Sequence, residues 1–307
     1  MGTLLRVGTW TTNEANATVA IESVFREFDR LEALLSNWKS DSDVTRLNNN
    51  AGVSPVPVSQ DTIAVLRTAR EVSELTRGKF DITFGALTDI WRFDHDQDNT
   101  VPARDLIEAR LPRIDYTAVD VDSTAGTGFI TRPGMAVHLG GIGKGYAVDR
   151  AVTVLKQQGF TDFLIQAGGD LYVAGSDGGK RWKLGIADPR GTHDPFATVQ
   201  ISDGTFSTSG DYERFFIKDG RRYHHILDPD FGEPAPGCRS VTLVSNKAVM
   251  ADAIAKGVFI MGPEDGMKLI EQLPDVEGVI VTSDNQVLVS SGLKNRLDIL
   301  KPPTNAP

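Results

Sequence analysis

The stretch VHLGGIGKGYAVDRA, residues 137–151, carries the strongest signal for how this chain folds. A segment of apolar residues is followed by two glycines and then by Gly143, Lys144 and Gly145. An amphipathic segment begins at Tyr146. A strand, a glycine-rich turn and a helix in this order free backbone N–H groups to face an anion. The stretch therefore predicts a turn that holds phosphate, although a tight strand-to-helix connection without a ligand has the same pattern.

Two common phosphate-binding loops do not fit this turn. A Walker-type loop needs Ser or Thr directly after Gly-Lys to reach magnesium, and here Gly145 follows Lys144. The glycine spacing also differs from the GxGxxG pattern of dinucleotide-binding folds. The turn is expected to bind phosphate in neither of these two ways.

Composition excludes several classes of function. The chain has 307 residues, a formal net charge of −9 and no basic run, which argues against a nucleic-acid partner. Its single cysteine, Cys238, excludes an internal disulfide and does not report the redox compartment. No apolar run approaches the ~20 residues that span a bilayer, so no transmembrane segment is expected. Residues 1–10 show neither a signal-peptide core nor a lipid-attachment cysteine, so either the protein stays where it is made or an export segment is missing from this sequence.

Hydrophobic periodicity predicts one α+β domain, residues 1–300, with mixed or antiparallel sheets and flanking helices arranged as two packed lobes. The Pro-rich tail, residues 301–307, is expected to be flexible. The predicted helices cover residues 17–35, 59–78, 145–159, 248–262 and 264–273. The predicted strands lie in residues 3–11, 163–175, 182–189, 198–202, 205–210, 215–227, 240–244, 279–282 and 286–290.

Two further segments contain a residue that could bind a ligand or could be purely structural. Residues 36–50, SNWKSDSDVTRLNNN, are predicted as a polar loop, in which Trp38 is either a surface side chain or an aromatic plate for a flat ligand. Asp81 lies inside the apolar segment KFDITFGAL, where a carboxylate is seldom buried without a partner. A helix cap or a turn explains most such aspartates.

Several segments, taken together and in order, resemble the ApbE-type FAD:protein FMN transferases, or flavin transferases. They are MGT at the N-terminus, SNWKSDSDVTRLN, KFDITFGAL with WRF, LGGIGKGYAVDRA, AGGDLYVAG, TSGDYERFF, HHILDP and ADAIAKGVF. The resemblance implies an ApbE-like fold with FAD bound in a cleft. It also implies an enzyme that attaches FMN, through its phosphate, to a Thr or Ser hydroxyl of an acceptor flavoprotein and releases AMP. The family is mostly exported and lipid-anchored.

The resemblance assigns roles to particular residues. Those implied to contact FAD are Met1, Trp38, Lys79, Phe80, Asp81, His138, Lys144 and Ile226. The metal ligands implied for Mg²⁺ are the Gly141 carbonyl and Asp252. The implied catalytic set is His225, Asp252 and Lys256, with His225 as the reactive histidine.

General chemistry agrees with these roles. Cleavage of a pyrophosphate needs positive charge on its oxygens and donors arranged around the phosphorus. The attacking hydroxyl needs a base, and a histidine with a pKa near neutrality is suitable. His224 and His225 are neighbours on one arm of a predicted hairpin, so only one can face the cleft, and the match to HILDP selects His225.

The chain departs from the family pattern at two places. His138 stands where the glycine-rich turn usually opens with Asp, and Lys256 stands where the helix usually carries Thr. Asp252 and Lys256 are four residues apart on a predicted helix, so they share a face. The pair is either a surface ion pair or part of the cleft; if it lines the cleft, Mg²⁺ binding is expected to be weakened or absent, with Lys256 supplying part of the charge.

Two other functions use the same cleft. An FAD pyrophosphatase would use water as the nucleophile and release FMN and AMP. A non-catalytic FAD-binding protein would leave FAD unchanged. The products formed from FAD in the presence of a candidate acceptor distinguish the three.

Overall fold

A computed structural model describes residues 2–93, 96–191 and 194–306. Met1, the first residue implied to contact FAD, lies outside the described residues. The helices are α1 (Glu14–Leu35), α2 (Asp43–Asn49), α3 (Gln60–Leu75), α4 (Arg104–Glu108), α5 (Gly143–Gln157), α6 (Ala248–Met261) and α7 (Pro263–Gln272). The strands are β1 (Leu5–Thr9), β2 (Val56–Pro57), β3 (Val119–Asp122), β4 (Thr127–Ile130), β5 (Phe163–Ala167), β6 (Asp170–Ala174), β7 (Trp182–Ala187), β8 (Pro195–Ile201), β9 (Gly204–Gly210), β10 (Phe215–Lys218), β11 (Arg221–His224), β12 (Leu227–Asp228), β13 (Glu233–Pro234), β14 (Cys238–Ser245), β15 (Glu277–Thr282), β16 (Val287–Val289) and β17 (Leu297–Ile299).

A seven-stranded antiparallel sheet, in the order β1-β5-β6-β9-β14-β15-β16, forms the centre of the fold. Alternate residues of its strands point to opposite faces, so each face buries its own core. On one face Ile165, Val241 and Ile280 pack in the main core with helices α1, α3, α5, α6 and α7. On the other face Val173 and Phe206 pack against the three-stranded sheet β17-β8-β7. The predicted α+β class is confirmed.

The hairpin β10–β11 carries the two histidines and is anchored by aromatic rings. Asp219 and Gly220 form its turn with φ of 51° and 77°, as the Asp-Gly pair predicted. Phe216 and Tyr223 stack at 5.3 Å between ring centroids, and Phe93 stacks on Phe216 at 5.7 Å. These rings belong to a separate small core, which fixes the end of the hairpin where the histidines lie.

Helix α2 occupies part of the segment that was predicted as a loop. Ser42 caps it by accepting a hydrogen bond from the Thr45 N–H, and Val44 and Leu47 enter the main core. Asp43 is buried and accepts hydrogen bonds from Ser59 N–H and the Thr62 hydroxyl at 2.7 and 2.6 Å. The polar composition concealed a short helix whose few apolar positions all face inward.

The apolar segment before the glycine-rich turn, residues 135–137, is not a regular strand. This corrects the prediction that a strand leads into the turn. Ala136 forms a single parallel bridge to Phe84, and the Val137 backbone is held instead by side-chain amides. Asn48 accepts from the Val137 N–H at 2.8 Å, while Asn37 and Asn48 donate to its carbonyl at 2.8 and 3.0 Å. The polar segment 36–50 therefore holds the entry to the turn.

The chain end, which the sequence predicts to be a flexible tail, makes several hydrogen bonds to the rest of the protein. The Thr304 hydroxyl donates to Asp188 at 2.6 Å, and the Thr304 carbonyl accepts from Arg239 at 3.2 Å. Asn285 donates to the Pro303 carbonyl at 2.9 Å, and Pro303 is buried. Proline content alone did not reveal these partners. The domain bounds of residues 1–300 and the division into two lobes stay predictions. Within the described part of the chain, no helix is both long enough and apolar enough to cross a membrane.

Candidate active site

The glycine-rich turn brings two helices into close contact. Residues Leu139–Gly141 form a short 3-10 helix, and α5 begins directly after it at Gly143. A Cβ atom on Gly145 would lie 2.3 Å from the Ala248 carbonyl oxygen, so only glycine lets the first turns of α5 and α6 approach this closely. One glycine of the turn therefore serves helix packing, and the N-cap residue of α5, Ile142, contributes no side-chain hydrogen bond to the first turn.

Four charged side chains meet at this contact. Lys144 Nζ lies 3.1 Å from Asp170 Oδ2 and 3.6 Å from Asp252 Oδ1, and it donates to the Gly140 carbonyl at 3.5 Å. Lys256 Nζ donates to the carboxylate and to the backbone carbonyl of Asp252, the latter at 2.9 Å. Lys144, Asp170, Asp252 and Lys256 are called the charge quartet below.

Charges within the quartet set its protonation. Burial would lower the pKa of Lys144, but the carboxylates of Asp170 and Asp252 raise it above its usual value. Burial would raise the pKa of Asp252, but the charges of Lys144 and Lys256 outweigh it, so this pKa is lowered. Burial, followed by the nearby Asp252 charge, raises the pKa of Asp170. Lys144 and Asp252 are therefore charged at neutral pH, directly beside the start of α5.

The quartet does not fit the magnesium site that the family resemblance implied. The Asp252 Oδ2 atom accepts the Gly145 N–H at 2.8 Å, and its Oδ1 atom holds the Lys256 ammonium. A methyl group on Gly141 would lie 3.1 Å from Lys256 Cδ, so the lysine stem also passes the implied carbonyl ligand. Among residues 2–93, 96–191 and 194–306, no three His, Cys, Asp or Glu side chains converge to hold a metal ion.

The two adjacent histidines face different surroundings. His224 is buried, its Nε2 contacts the Ala235 carbonyl at 3.1 Å, and its Nδ1 accepts the Ile226 N–H at 3.3 Å. His225 is half-buried, and its Nδ1 contacts the Arg214 carbonyl at 3.3 Å. A carbonyl only accepts, so this contact assigns the proton to His225 Nδ1 and leaves the Nε2 lone pair basic. The sequence predicts that the side chains of His224 and His225 point to opposite faces of the hairpin, and their different surroundings agree with this prediction.

The pKa of His225 differs from the near-neutral value expected of a catalytic histidine. Burial, then the positive charge of Arg214, lowers the pKa of His225 to about 3. The charge of Lys256 acts in the same direction. The ring is neutral, and able to accept a proton, across the whole neutral range. An anion bound beside it would raise this pKa.

The same burial predicts a loss of stability in acid. The pKa of His224 is lowered to about 4 and that of His225 to about 3, from the ordinary 6.5. As the pH falls below 6.5 the unfolded chain binds protons first, so stability is complete above pH 6.5 and is lost toward pH 3–4. Urea midpoints measured from about pH 7.5 to 5 should fall, and should fall less in His224→Gln. A midpoint that stays constant over this range would contradict the assignment.

Other residues implied to contact FAD have protein partners already. Lys79 Nζ lies 3.0 Å from Asp228 and 2.8 Å from Asp230, and although burial opposes it, these carboxylates raise its pKa. Asp81 accepts from the Thr83 N–H at 2.7 Å and from the Tyr116 N–H at 2.8 Å, so it closes a turn. Burial raises the pKa of Asp81. These contacts give Asp81 a structural role.

The remaining implied contacts differ in exposure. Trp38 is 62% exposed on the segment that precedes α2, and Ile226 is only 4% exposed in the main core. Phe80 is buried, and its ring would lie 3.2 Å from a methyl group on Gly141. His138 caps the 3-10 helix by accepting the Gly140 N–H on Nδ1 at 3.1 Å. This accounts for a histidine at the opening of the turn, since it caps as an aspartate would.

Sequence reasoning missed four residues that complete the site. Asp170 follows the two glycines of the β5–β6 turn and accepts a hydrogen bond from the Ser207 hydroxyl. Ser209, two residues further along β9, accepts from Lys256 Nζ at 3.3 Å. Arg214 lies close enough for its charge to lower the pKa of Lys144 and of His225. A carboxylate at the start of a buried strand could have marked Asp170 as a candidate site residue. No feature of the sequence marked Arg214.

Comparison with known proteins gives a consistent result. The profile of the ApbE family matches residues 1–280. The FAD:protein FMN transferase of Treponema pallidum (strain Nichols) is 32% identical over 317 residues, covering 98% of this chain and 87% of that protein. A Klebsiella pneumoniae (strain 342) protein of the same name is 33% identical over 285 residues, covering 90% of this chain and 86% of that one.

Solved structures agree with the sequence relatives. The crystal structure of the ApbE protein from Thermotoga maritima superposes with a TM-score of 0.87 at 33% identity, covering 96% of each chain. The flavin transferase ApbE from Vibrio cholerae superposes with a TM-score of 0.86 at 26% identity, again covering 96% of each chain. The similarity extends over nearly the whole fold.

Proposed function

Because this chain belongs to the ApbE family, we propose that it is an FAD:protein FMN transferase that modifies an acceptor flavoprotein. Relatives at 32% and 33% identity carry that name and match this chain over most of its length. The substrate is FAD, and the group transferred is FMN. In this proposal the acceptor offers a Thr or Ser hydroxyl, and the product is a phosphoester with AMP released.

The observation that carries the proposal is the position of His225 beside the charge quartet. Lys144 and the Asp252 carboxylate that holds Lys256 lie at the start of α5, and the charge of Lys256 reaches the neutral imidazole of His225 and lowers its pKa. Phosphoryl transfer depends on positioning and on charge stabilisation, and a base must remove the proton of the attacking hydroxyl. This site supplies both kinds of group.

The reaction assigns one step to each part of the site. The acceptor hydroxyl oxygen attacks the phosphorus of the FMN half of FAD, and its proton passes to His225 Nε2. The new O–P bond forms as the bond from that phosphorus to the bridging oxygen breaks, and AMP leaves with the bridging oxygen. Lys144 and the first N–H groups of α5 stabilise the negative charge that develops on the phosphate oxygens.

The other implied contacts place the two ends of FAD in this proposal. Trp38 is 62% exposed on the segment that also holds Val137 before the glycine-rich turn, and in this proposal a planar ring of FAD stacks on its indole. His138 lies at the opening of the glycine-rich turn, Phe80 packs beside Gly141, and Ile226 follows His225 directly in the chain. Lys79 contributes positive charge, shared with Asp228 and Asp230.

Binding of FAD gives the first test. Wild-type protein should quench flavin fluorescence on titration and melt at a higher temperature with FAD present. Lys144→Met should weaken FAD binding by about 10- to 100-fold, because a charged hydrogen bond contributes about 1.5–3 kcal/mol. Lys180→Met removes an exposed lysine from the β6–β7 connection and should bind FAD as the wild type does. Absence of quenching and of thermal protection in the wild type would contradict the proposal.

A further inference from the structure

We infer that the Lys256 ammonium is the built-in cation of this site and that FMN transfer in this protein proceeds without a divalent metal. The inference rests on the proposed FMN transfer. It concerns the place beside Asp252 and the Gly141 carbonyl, where the family resemblance implied Mg²⁺. In this chain a lysine side chain fills that place.

The ammonium group is held on three sides. Lys256 Nζ contacts the Asp252 carboxylate, donates to the Asp252 carbonyl at 2.9 Å, and donates to the Ser209 hydroxyl at 3.3 Å. These partners come from α6 and from the adjacent strand β9. Three acceptors match the three N–H donors of an ammonium group, so the site is built for this side chain.

The carboxylate that a dication would need is fully engaged. Asp252 Oδ2 accepts the backbone N–H of Gly145 at 2.8 Å, and Oδ1 lies against Lys256 and 3.6 Å from Lys144. A dication that approached Asp252 would meet two ammonium groups before it reached the carboxylate. Mg²⁺ requires near-octahedral oxygen ligands and loses its water reluctantly, so it competes poorly for such a site.

The pair is not a surface ion pair of the ordinary i,i+4 kind. The Asp252 side chain is 0% exposed and the Lys256 side chain is 15% exposed. An exposed pair of this spacing would be screened by water and would matter little. A largely enclosed lysine held against Asp252, whose carboxylate accepts the Gly145 N–H, instead presents a fixed positive charge to a phosphate bound at the start of α5.

Charge counting favours an anionic ligand. The quartet holds two lysines and two aspartates, so it has no excess of negative charge before substrate binds, and a bound pyrophosphate adds negative charge. The contact from Lys256 to Ser209, at 3.3 Å, is longer than its contact to the Asp252 carbonyl. It is the contact that the ammonium exchanges for a phosphate oxygen. The lysine then neutralises the phosphate without leaving Asp252.

The test measures metal binding, FAD affinity and transfer on the same preparations. Wild-type protein is treated with EDTA and desalted, and Mn²⁺ is added as a spectroscopic probe followed by electron paramagnetic resonance. We expect no stoichiometric Mn²⁺ binding, and FAD affinity and transfer rate that change by less than about twofold between EDTA and Mg²⁺. Stoichiometric Mn²⁺ binding, or a loss of transfer in EDTA that Mg²⁺ restores, would overturn the inference.

Variants separate the charge of the lysine from its bulk. Lys256→Met keeps an unbranched side chain that is only one atom shorter, and it should lower the transfer rate by about tenfold or more, as removal of one stabilising charge does. Lys256→Thr opens the site and should bind Mn²⁺ and regain transfer with Mg²⁺. Lys156→Met, which removes an exposed lysine at the other end of α5, should change neither FAD affinity nor rate. Equal activity of Lys256→Met and Lys156→Met would overturn the inference.

A failure of the proposed function can be distinguished from a failure of the inference about Lys256. If no acceptor is modified under any condition, the transferase proposal fails, and the FAD affinity and the Mn²⁺ signal still decide the role of Lys256. Thermal melting of each variant, with and without FAD, shows whether a lost signal reflects unfolding. An FAD affinity of the wild type that depends on Mg²⁺ would count against the inference even without transfer.

Discussion

Replacement of His225 by alanine is expected to lower the rate of FMN transfer by about 10²–10⁴-fold while FAD still binds. The imidazole is neutral because burial and then the Arg214 charge lower its pKa to about 3, and its Nδ1 is engaged by the Arg214 carbonyl. Removal of the ring takes away the only basic nitrogen that the proposed step uses. Single-turnover rates with saturating FAD and acceptor, compared with FAD affinity from fluorescence, give the measurement.

His224→Ala provides the matched control. The sequence alone predicts a mild effect for this variant, but His224 is buried against Phe259 and is bonded at both ring nitrogens. Its loss leaves the Ile226 N–H and the Ala235 carbonyl without these partners, which costs about 1–3 kcal/mol of folding stability. The rate per folded molecule should stay close to that of the wild type. Equal losses of rate in the two variants, after correction for folded fraction, would refute the assignment of His225.

Replacement of Gly145 by alanine is expected to destabilise the protein by about 3 kcal/mol or more. The new methyl group would lie 2.3 Å from the Ala248 carbonyl oxygen and 2.7 Å from Asp252 Cβ, so α5 and α6 would have to separate. The separation also breaks the hydrogen bond from the Gly145 N–H to Asp252. Urea denaturation of the protein without ligand measures the change in the free energy of unfolding.

Gly143→Ala is the control for the same turn. Gly143 is buried and helical like Gly145, but a Cβ atom there would have no neighbour within 4 Å. Alanine favours a helix over glycine by up to about 1 kcal/mol, so this variant should be neutral or slightly more stable. A Gly145→Ala protein as stable as Gly143→Ala would show that the close contact of the two helices is not as described.

Local patterns were sufficient to predict most of the fold. Asp219-Gly220 and Gly168-Gly169 mark tight turns, and the alternating residues around them give the strands on each side. Helix α2 escaped prediction because its cap, Ser42, and its buried Asp43 are polar residues that also suit a loop. The residues before the glycine-rich turn looked like a strand because they are apolar, yet asparagine amides from a distant segment hold their backbone.

The site was predicted less completely because its properties depend on contacts between distant segments. The match to known motifs predicts Lys144, Asp252 and His225 as site residues, which stays a prediction, and helical spacing placed Lys256 next to Asp252. Asp170 joins the quartet only through the antiparallel pairing of β5 with β6 and of β6 with β9. The low pKa of His225 arises from burial and from Arg214, which no spacing rule connects to Lys144.

The product of one incubation tests the central claim most directly. Wild-type protein, FAD and a candidate acceptor flavoprotein are mixed, the acceptor is analysed by intact mass, and AMP and free FMN are measured in the same sample. The proposed function predicts an acceptor that carries one FMN, one AMP released for each FMN attached, and no modification when the acceptor Thr or Ser is replaced by Val or Ala. Free FMN and AMP with an unmodified acceptor would show a pyrophosphatase, and unchanged FAD would show a binding protein; either result contradicts the account.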